Sequence, residues 1–153
     1  MSAEPDSRQQ YLTFQLAGEE YGIGILMVQE IRGWSAVTAI PHAPDWVLGI
    51  LELRGVAVPI IDLRRRFELE PAQFGPSTVV IVVRVPESSG QSRTLGLVVD
   101  AVSEVYDIEA ANQRSLPEIG SSAASAIVQG LAQADGKTLI LLDAARLASS
   151  ALH

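Results

Sequence analysis

LELRGVAVPIIDLRRRF, residues 51–67, is built mostly from strand formers, yet an arginine, a glycine and a proline are set among them. Leu51, Leu53, Val56 and Val58 suit a pleated, half-buried surface. Pro59 cannot donate a ladder hydrogen bond. With Leu51 and Leu53 turned inward, alternation sends Glu52 and Arg54 outward together. Gly55 and Pro59 are expected to bend or end the pairing, as bulge and edge positions do. The result is an arginine held at the surface of a β-lobe. Asp62 then ends the apolar run as an N-cap for a short helix over Leu63 to Phe67, its carboxylate accepting free helical N–H groups.

Outward from this stretch the chain reads as many short strands. Leu12, Phe14 and Leu16 alternate with Thr13 and Gln15, the pattern of a half-buried strand. Gly18-Glu19-Glu20 reads as a tight turn into Tyr21–Ile25, and Ile25–Ile31 as a helical turn leading into a further strand. Trp34–Ile40 and Trp46–Leu53 are strand candidates on either side of the loop Pro41-His42-Ala43-Pro44. Val79–Val83 is continuously apolar and should be covered on both faces. Leu95–Val99 follows. Gln129–Ala134 and Lys137–Leu142 flank Asp135-Gly136, a strong two-residue hairpin signal. Between them Glu109–Ala126 is long, rich in small residues and weak in strand signal, so it is expected to be the softest part of the fold.

An apolar strand ended by aspartate occurs three times, at Asp62, Asp100 and Asp143. Two of these precede helical segments, Leu63–Phe67 and Ala144–Ala151, about half a chain apart. The expectation is an all-β protein of two similar small barrels. A length of 153 residues fits one domain or two lobes sharing a core.

Composition removes several functions. There are no cysteines, so no disulfide, no thiolate nucleophile and no cysteine-based zinc site. The start, MSAEPDSRQQ, carries no apolar run and is no secretory signal, and no stretch approaches the ~20 apolar residues of a membrane span. A cytoplasmic protein is expected, with no direct membrane insertion. The formal net charge of −7 argues against small barrels that bind nucleic acid through a basic face. The run Arg64-Arg65-Arg66 reads as a solvated helical turn rather than an anion site.

Catalysis has no visible apparatus. His42 lies in a proline loop and His153 is the last residue, without partners at ligand spacing. No nucleophile elbow, zinc-protease helix or phosphate-binding loop is present. Strand-end capping accounts for Asp62, Asp100 and Asp143 better than a carboxylate cluster does. Gly49, Gly55, Gly96 and Gly130 mark bulges or close packing. No enzyme and no cofactor is expected. Such a chain works by presenting surfaces to partners.

Seven pieces in order sharpen this. They are Phe14-Gln15-Leu16, Glu19–Ile25, Val28-Gln29-Glu30-Ile31-Arg32, Thr38-Ala39-Ile40-Pro41, Gly49–Gly55, Val58–Arg64 and Gly96–Val102. From about Tyr11 to Leu147 the chain resembles the CheW-type chemotaxis coupling proteins. Glu52 departs from the asparagine usual before L-R-G, and Gly24 from a usual aspartate.

The resemblance implies two intertwined SH3-like five-stranded β-barrels with short helices, one at the C-terminus. It implies one CheW-like domain over 11–148, with lobes at roughly 11–68 and 77–143 and strand exchange between them. A disordered tail at 1–10 and a C-terminal tail at 149–153 complete the expected layout. The implied function is a non-enzymatic adaptor joining methyl-accepting chemoreceptors to the histidine kinase CheA. The alternative is a sister chemosensory system controlling surface motility or another output. Implied receptor contacts are Val28, Glu30, Ile31, Val79, Gly96, Val102 and Val105. Val79 reads equally well as core. Implied kinase-coupling residues are Glu30, Gly49 and Arg54, with Glu30 and Arg54 forming an ion pair across neighbouring strands for which Glu52 competes.

Overall fold

A computed structural model describes residues 8–87, 89–115 and 126–151. The strands are β1 (Arg8–Leu16), β2 (Glu19–Gly24), β3 (Val28–Gly33), β4 (Val47–Leu53), β5 (Val56–Asp62), β6 (Val79–Pro86), β7 (Ser92–Val99), β8 (Ala101–Glu109), β9 (Gln113–Arg114), β10 (Val128–Ala134) and β11 (Lys137–Leu142). Helix α1 (Leu63–Arg66) follows β5, and α2 (Ala144–Ser150) follows β11. Single 3-10 turns at Ile25–Met27 and Ala110–Asn112 join β2 to β3 and β8 to β9. Residues 116–125 of the stretch expected to be soft lie outside the described residues, as do residues 1–7 of the expected N-terminal tail.

The strands form two sheets. One has the order β8-β1-β2-β11-β10-β9 and the other β3-β6-β7-β5-β4. This corrects the expectation of two five-stranded SH3-like barrels: one sheet has six strands, and neither closes. In the five-stranded sheet β3 and β4 remain edges. In the six-stranded sheet β8 and β9 do, and β9 has only two residues. The sheets roll without sealing. Chain segments and side chains, rather than ladder hydrogen bonds, bring the opposite edges together.

Alternation explains why so many strands are apolar throughout. Val80, Val82, Ile60, Val98 and Val58 fill the concave side of the five-stranded sheet with Leu53. Their neighbours Ile81, Val83, Ile61, Leu97 and Val99 point the other way, into a core shared with Leu12, Phe14, Leu16, Tyr21 and Ile23 of β1 and β2. The six-stranded sheet repeats this: Tyr11, Ile108, Ala132, Leu139 and Leu141 line its own hollow, while Leu142 joins the shared core. Successive side chains of a strand face opposite sides, so a strand wedged between two cores has no polar face.

The strand–Asp–helix echo is structural. Asp62 and Asp143 each accept a hydrogen bond from a helix N–H, Arg64 N at 3.1 Å and Arg146 N at 3.1 Å. Each strand ends with the aspartate N–H donating to an earlier carbonyl, Trp46 O at 2.7 Å and Ile127 O at 2.8 Å. Bulges fall at Val47/Gly49 and Val128/Gly130. The turns are Arg54-Gly55 and Asp135-Gly136, both residues at positive φ in each (50° and 80°, 50° and 75°), the hairpin turn that matches strand twist. Residues 49, 54 and 62 match 130, 135 and 143 at one constant offset.

Several expectations are corrected here. Arg54 is not a strand residue; it is the first corner of the β4–β5 turn. Pro59 does not end the pairing, because the β4–β5 ladder runs through Ile50↔Pro59 and β7 joins one residue later, at Ile60. The β1–β2 turn is Ala17-Gly18, at φ 52° and 84°, one position before the expected one. Trp34–Ile40 forms no strand. It crosses from the β3 edge to the β4 edge, where Thr38 alone bridges Ile50 by hydrogen bonds of 3.0 and 2.8 Å. On the way Trp34 packs on Phe74, ring centroids 4.4 Å apart, and covers the five-stranded core.

Candidate functional site

The β3 bulge between Val28 and Glu30 sets the site's geometry. Past it, Glu30 lies opposite Val82 and Arg32 opposite Val80, on the concave side, while Ile31 lies opposite Ile81, on the shared-core side. Glu30 thereby faces the far edge of its own rolled sheet. Its Oε2 accepts from Arg54 Nη2 at 2.6 Å, and its Oε1 from Arg32 Nη1 at 3.4 Å. The pair forms, but not across neighbouring strands: β3 and β4 are opposite edges, and the ion pair spans the mouth of the roll. The hydrogen bond from Arg54 holds the Glu30 carboxyl below the usual carboxylate range, helped by Arg32. Glu52 makes no ion pair among the described residues.

Arg54 adopts φ +50° with its side chain 77% exposed. A left-handed corner occupied by a bulky residue costs roughly 1–2 kcal/mol relative to the ordinary region. Asp135 at the matching corner is a residue type that tolerates this conformation, and arginine is not. A strained, exposed cation tied to one carboxylate fits a site kept for recognition rather than stability.

Gly49 sits at the other end of β4. A Cβ there would lie 2.2 Å from Thr38 O, so the missing side chain permits the Thr38–Ile50 bridge. Gly96 is buried at the centre of the five-stranded sheet. Its Cα faces Ile60 Cδ1 and Val80 Cγ1, which a Cβ would approach to 2.5 and 3.0 Å. Any part it has in partner binding therefore passes through the packing of β7.

The remaining residues lie along the two edge strands β3 and β8 and, for Val79, at the start of β6 beside β3. Val28, Val79 and Val102 are half-buried against the shared core. Ile31 and Val105 stand out from it, 46% and 47% exposed. Val105 is opposite Leu12 and Val102 opposite Phe14, so both look toward the shared core from edge strand β8. Ile31 does so from edge strand β3. An apolar margin thus follows each edge.

Arginines expected to be a solvated turn are structural. Arg64 grips Asp100 with two bonds, Nε–Oδ1 at 2.8 Å and Nη2–Oδ2 at 2.6 Å, and its Nη1 donates to Glu70 O. Asp100 Oδ2 also accepts from Ala17 N at 2.9 Å. The carboxylate therefore ties α1 to the β1–β2 turn, one sheet to the other. Arg64 holds the Asp100 carboxyl below the ordinary range, with the Ala17 N–H assisting. Arg66 lies over the Trp46 ring, 4.9 Å from its centroid, and Trp46 Nε1 donates to Ala151 O. Burial pushes the Asp62 carboxyl up, against the N–H groups of Arg65 and Arg64 that favour its anion. Nothing short-range in the sequence pairs Arg64 with Asp100; only the strand-end position of Asp100 hinted at a local bond. Leu26, 95% exposed on the first 3-10 turn, was also missed, because an apolar residue amid Ile23 and Ile25 reads as core.

Residues 10–152 match the CheW-like domain family. The chain belongs to that family. A chemotaxis protein CheW from Klebsiella aerogenes is 45% identical over 93% of this chain and 82% of its own length. One from Rhizobium meliloti is 33% identical over 88% and 84%. The crystal structure of the scaffolding protein TtCheW from Thermoanaerobacter tengcongensis superposes with a TM-score of 0.78 at 33% identity, covering 88% of each chain. This is a non-enzymatic CheW-type scaffold linking chemoreceptors and the kinase CheA in chemotaxis. Among the described residues, no helix is long and apolar enough to cross a membrane.

Proposed function

We propose that the two tasks of a CheW scaffold are divided between the surfaces described above. The Glu30–Arg54 bridge, backed by Gly49 along β4, meets CheA. The apolar margins of β3 and β8, carried by Val28, Ile31, Val102 and Val105, with Val79 of β6 beside β3, meet the methyl-accepting chemoreceptors. The observation that carries the first assignment is Arg54, a strained and exposed cation held in one direction by Glu30. An exposed pair of this kind contributes little to stability, too little for stability alone to account for the strain. Apolar margins suit the apolar stripe of a receptor helix laid between them.

Charge reversal tests the kinase assignment. Glu30→Arg and Arg54→Glu should each impair kinase coupling, and the double swap should recover part of it. A double variant no better than the worse single removes the pairing from the mechanism. Val105→Asp, on an exposed position, should weaken receptor binding with the melting transition intact. Unchanged receptor affinity would move the receptor surface elsewhere.

A further inference from the structure

The two sheets meet through a shared apolar core, and apolar burial is non-directional. It presses the sheets together without fixing how one is set against the other; directed polar links do that. One such link sits where the receptor-facing margins join. The chain leaves the five-stranded sheet at Val99 and enters the six-stranded one at Ala101, so Asp100 is the crossover residue. Of the three strand-end aspartates it alone is followed by a strand rather than a helix. Val99 pairs with Val79 in the β6–β7 ladder, and Val102 lies two residues beyond Asp100. A margin therefore starts beside Asp100 on each sheet. The Asp100 N–H donates to Gln15 O at 3.0 Å, and its Oδ2 accepts from Ala17 N; both partners belong to β1 and the turn after it. The Arg64 fork, on the helix that follows β5, takes both carboxylate oxygens. The two side chains are mostly buried, 19% and 29% exposed, and a bidentate pair of this kind fixes orientation as well as distance. Trp46 and Arg93 also reach across, to Ala151 O and Ala148 O, but these end on α2 or the residue after it, not on the strands that carry the margins.

We propose that Arg64 and Asp100 are positioning residues for receptor binding: their clamp holds the β3 and β8 margins at the spacing that admits the receptor helix. They act through the margins and not by contact. A clamp that served stability alone would matter equally to both binding surfaces. The Glu30–Arg54 bridge lies within the five-stranded sheet, so the kinase surface does not depend on how the sheets are set. The margins lie one on each sheet, so the receptor surface does. The inference rests on the assignment of the margins to the receptor and names what keeps them in register.

The test is calorimetric titration of a soluble receptor cytoplasmic fragment, and separately of CheA, into the full chain well below its melting temperature. Asp100→Asn and Arg64→Gln should each weaken receptor binding about fivefold or more, a size reached by substitutions that touch neither ligand. CheA affinity should stay within about twofold of the parent, which also certifies the folded fraction. The chain has no cysteines, so spin labels at Gln29→Cys on β3 and Asp107→Cys on β8, both exposed positions, report the spacing of the margins directly. Dipolar coupling should give a narrow distance distribution in the parent and a shifted or broader one with Asp100→Asn. An unchanged distribution, or equal losses for receptor and CheA, reduces the clamp to stability and overturns the proposal. If Val105→Asp weakens receptor binding while the clamp variants do not, the positioning role is wrong and the receptor-facing assignment stands. If Val105→Asp has no effect, the margin assignment falls and takes the clamp's role with it. Should Arg64→Gln fail to fold, Asp100→Asn, which keeps the shape of the side chain, decides alone.

Discussion

Gly96→Ala is the sharpest probe of the rolled sheet. β7 is the central strand of five, and Gly96 lies on its concave side, opposite Ile60 in the parallel ladder. An added methyl would stand 2.5 Å from Ile60 Cδ1 and 3.0 Å from Val80 Cγ1, whereas ordinary contacts begin at 3.4 Å. Both neighbours are almost fully buried, so neither swings into solvent. Overpacking of one methyl costs about 1–3 kcal/mol, from which the stiffer unfolded chain of alanine subtracts roughly 0.4–1. The net is a loss of about 1–2 kcal/mol, or a melting shift of ~2–8 °C at ~2–4 °C per kcal/mol for a domain of this size. Ile60→Val deletes the offending Cδ1 and alone costs about 0.5–1.5 kcal/mol. Combined, the two should be more stable than their sum by about 1 kcal/mol, well beyond the ~0.3–0.5 kcal/mol scatter of independent sites. The measurement is a double-mutant cycle from urea unfolding followed by circular dichroism. Additive effects, or a silent Gly96→Ala, would show that Gly96 is not held in close packing against Ile60.

Three further outcomes follow from the same geometry. Gly49→Ala would set its methyl 2.2 Å from the Thr38 carbonyl. Hydrogen exchange should show lost protection at the Thr38 and Ile50 amides; retained protection at both would mean that the backbone absorbs the clash. Gly136→Val places a β-branched residue at φ +75°, and a loss of about 1 kcal/mol or more is expected, with receptor binding by the folded fraction unchanged; an unshifted melting temperature counts against it. The Asp100 carboxyl lies below its ordinary value because of Arg64, so the unfolded chain binds a proton there more readily than the folded one. Its contribution is therefore full above the ordinary carboxylate pKa of about 3.9 and disappears as pH falls through the lower folded value. Asp100→Asn should be less stable at neutral pH and flatter against acid; parallel curves for parent and variant would show that Asp100 carries none of the acid sensitivity.

Much of this was legible because strands announce themselves locally. Alternation in β1, the two-sided apolar run of β6 and the caps at Asp62 and Asp143 follow from side-chain direction and hydrogen-bond capacity. Glu30 and Arg54 pair as expected, but they meet across opposite edges of the sheet, Glu30 on β3 and Arg54 at the turn after β4. Pattern tells which side of a strand is buried; it does not tell how far a sheet bends. The Arg54-Gly55 turn was hidden by its first residue, since arginine is no turn signal. Its match to Asp135-Gly136 at the offset of the caps could have exposed it. Trp34–Ile40 looked extended because it carries apolar residues, yet these cover a core from outside. The Arg64–Asp100 clamp joins segments remote in sequence, and no local periodicity encodes it.

The five-stranded sheet is a contiguous insertion, β3 to β7, between segments that together make the six-stranded one. On a ribosome the inserted sheet is complete once Val99 has emerged. The β1–β2 hairpin, made first, must wait with Phe14 and Tyr21 uncovered until the inserted sheet brings Ile81, Leu97 and Phe67 to them, and with the β2 edge unpaired until β11 arrives. Leu147, Ala148 and Ala151, which follow β11, then join the shared core. A chain cut before Leu147 would keep one sheet whole and leave the shared core open at that side, a substrate for chaperones rather than for chemoreceptors.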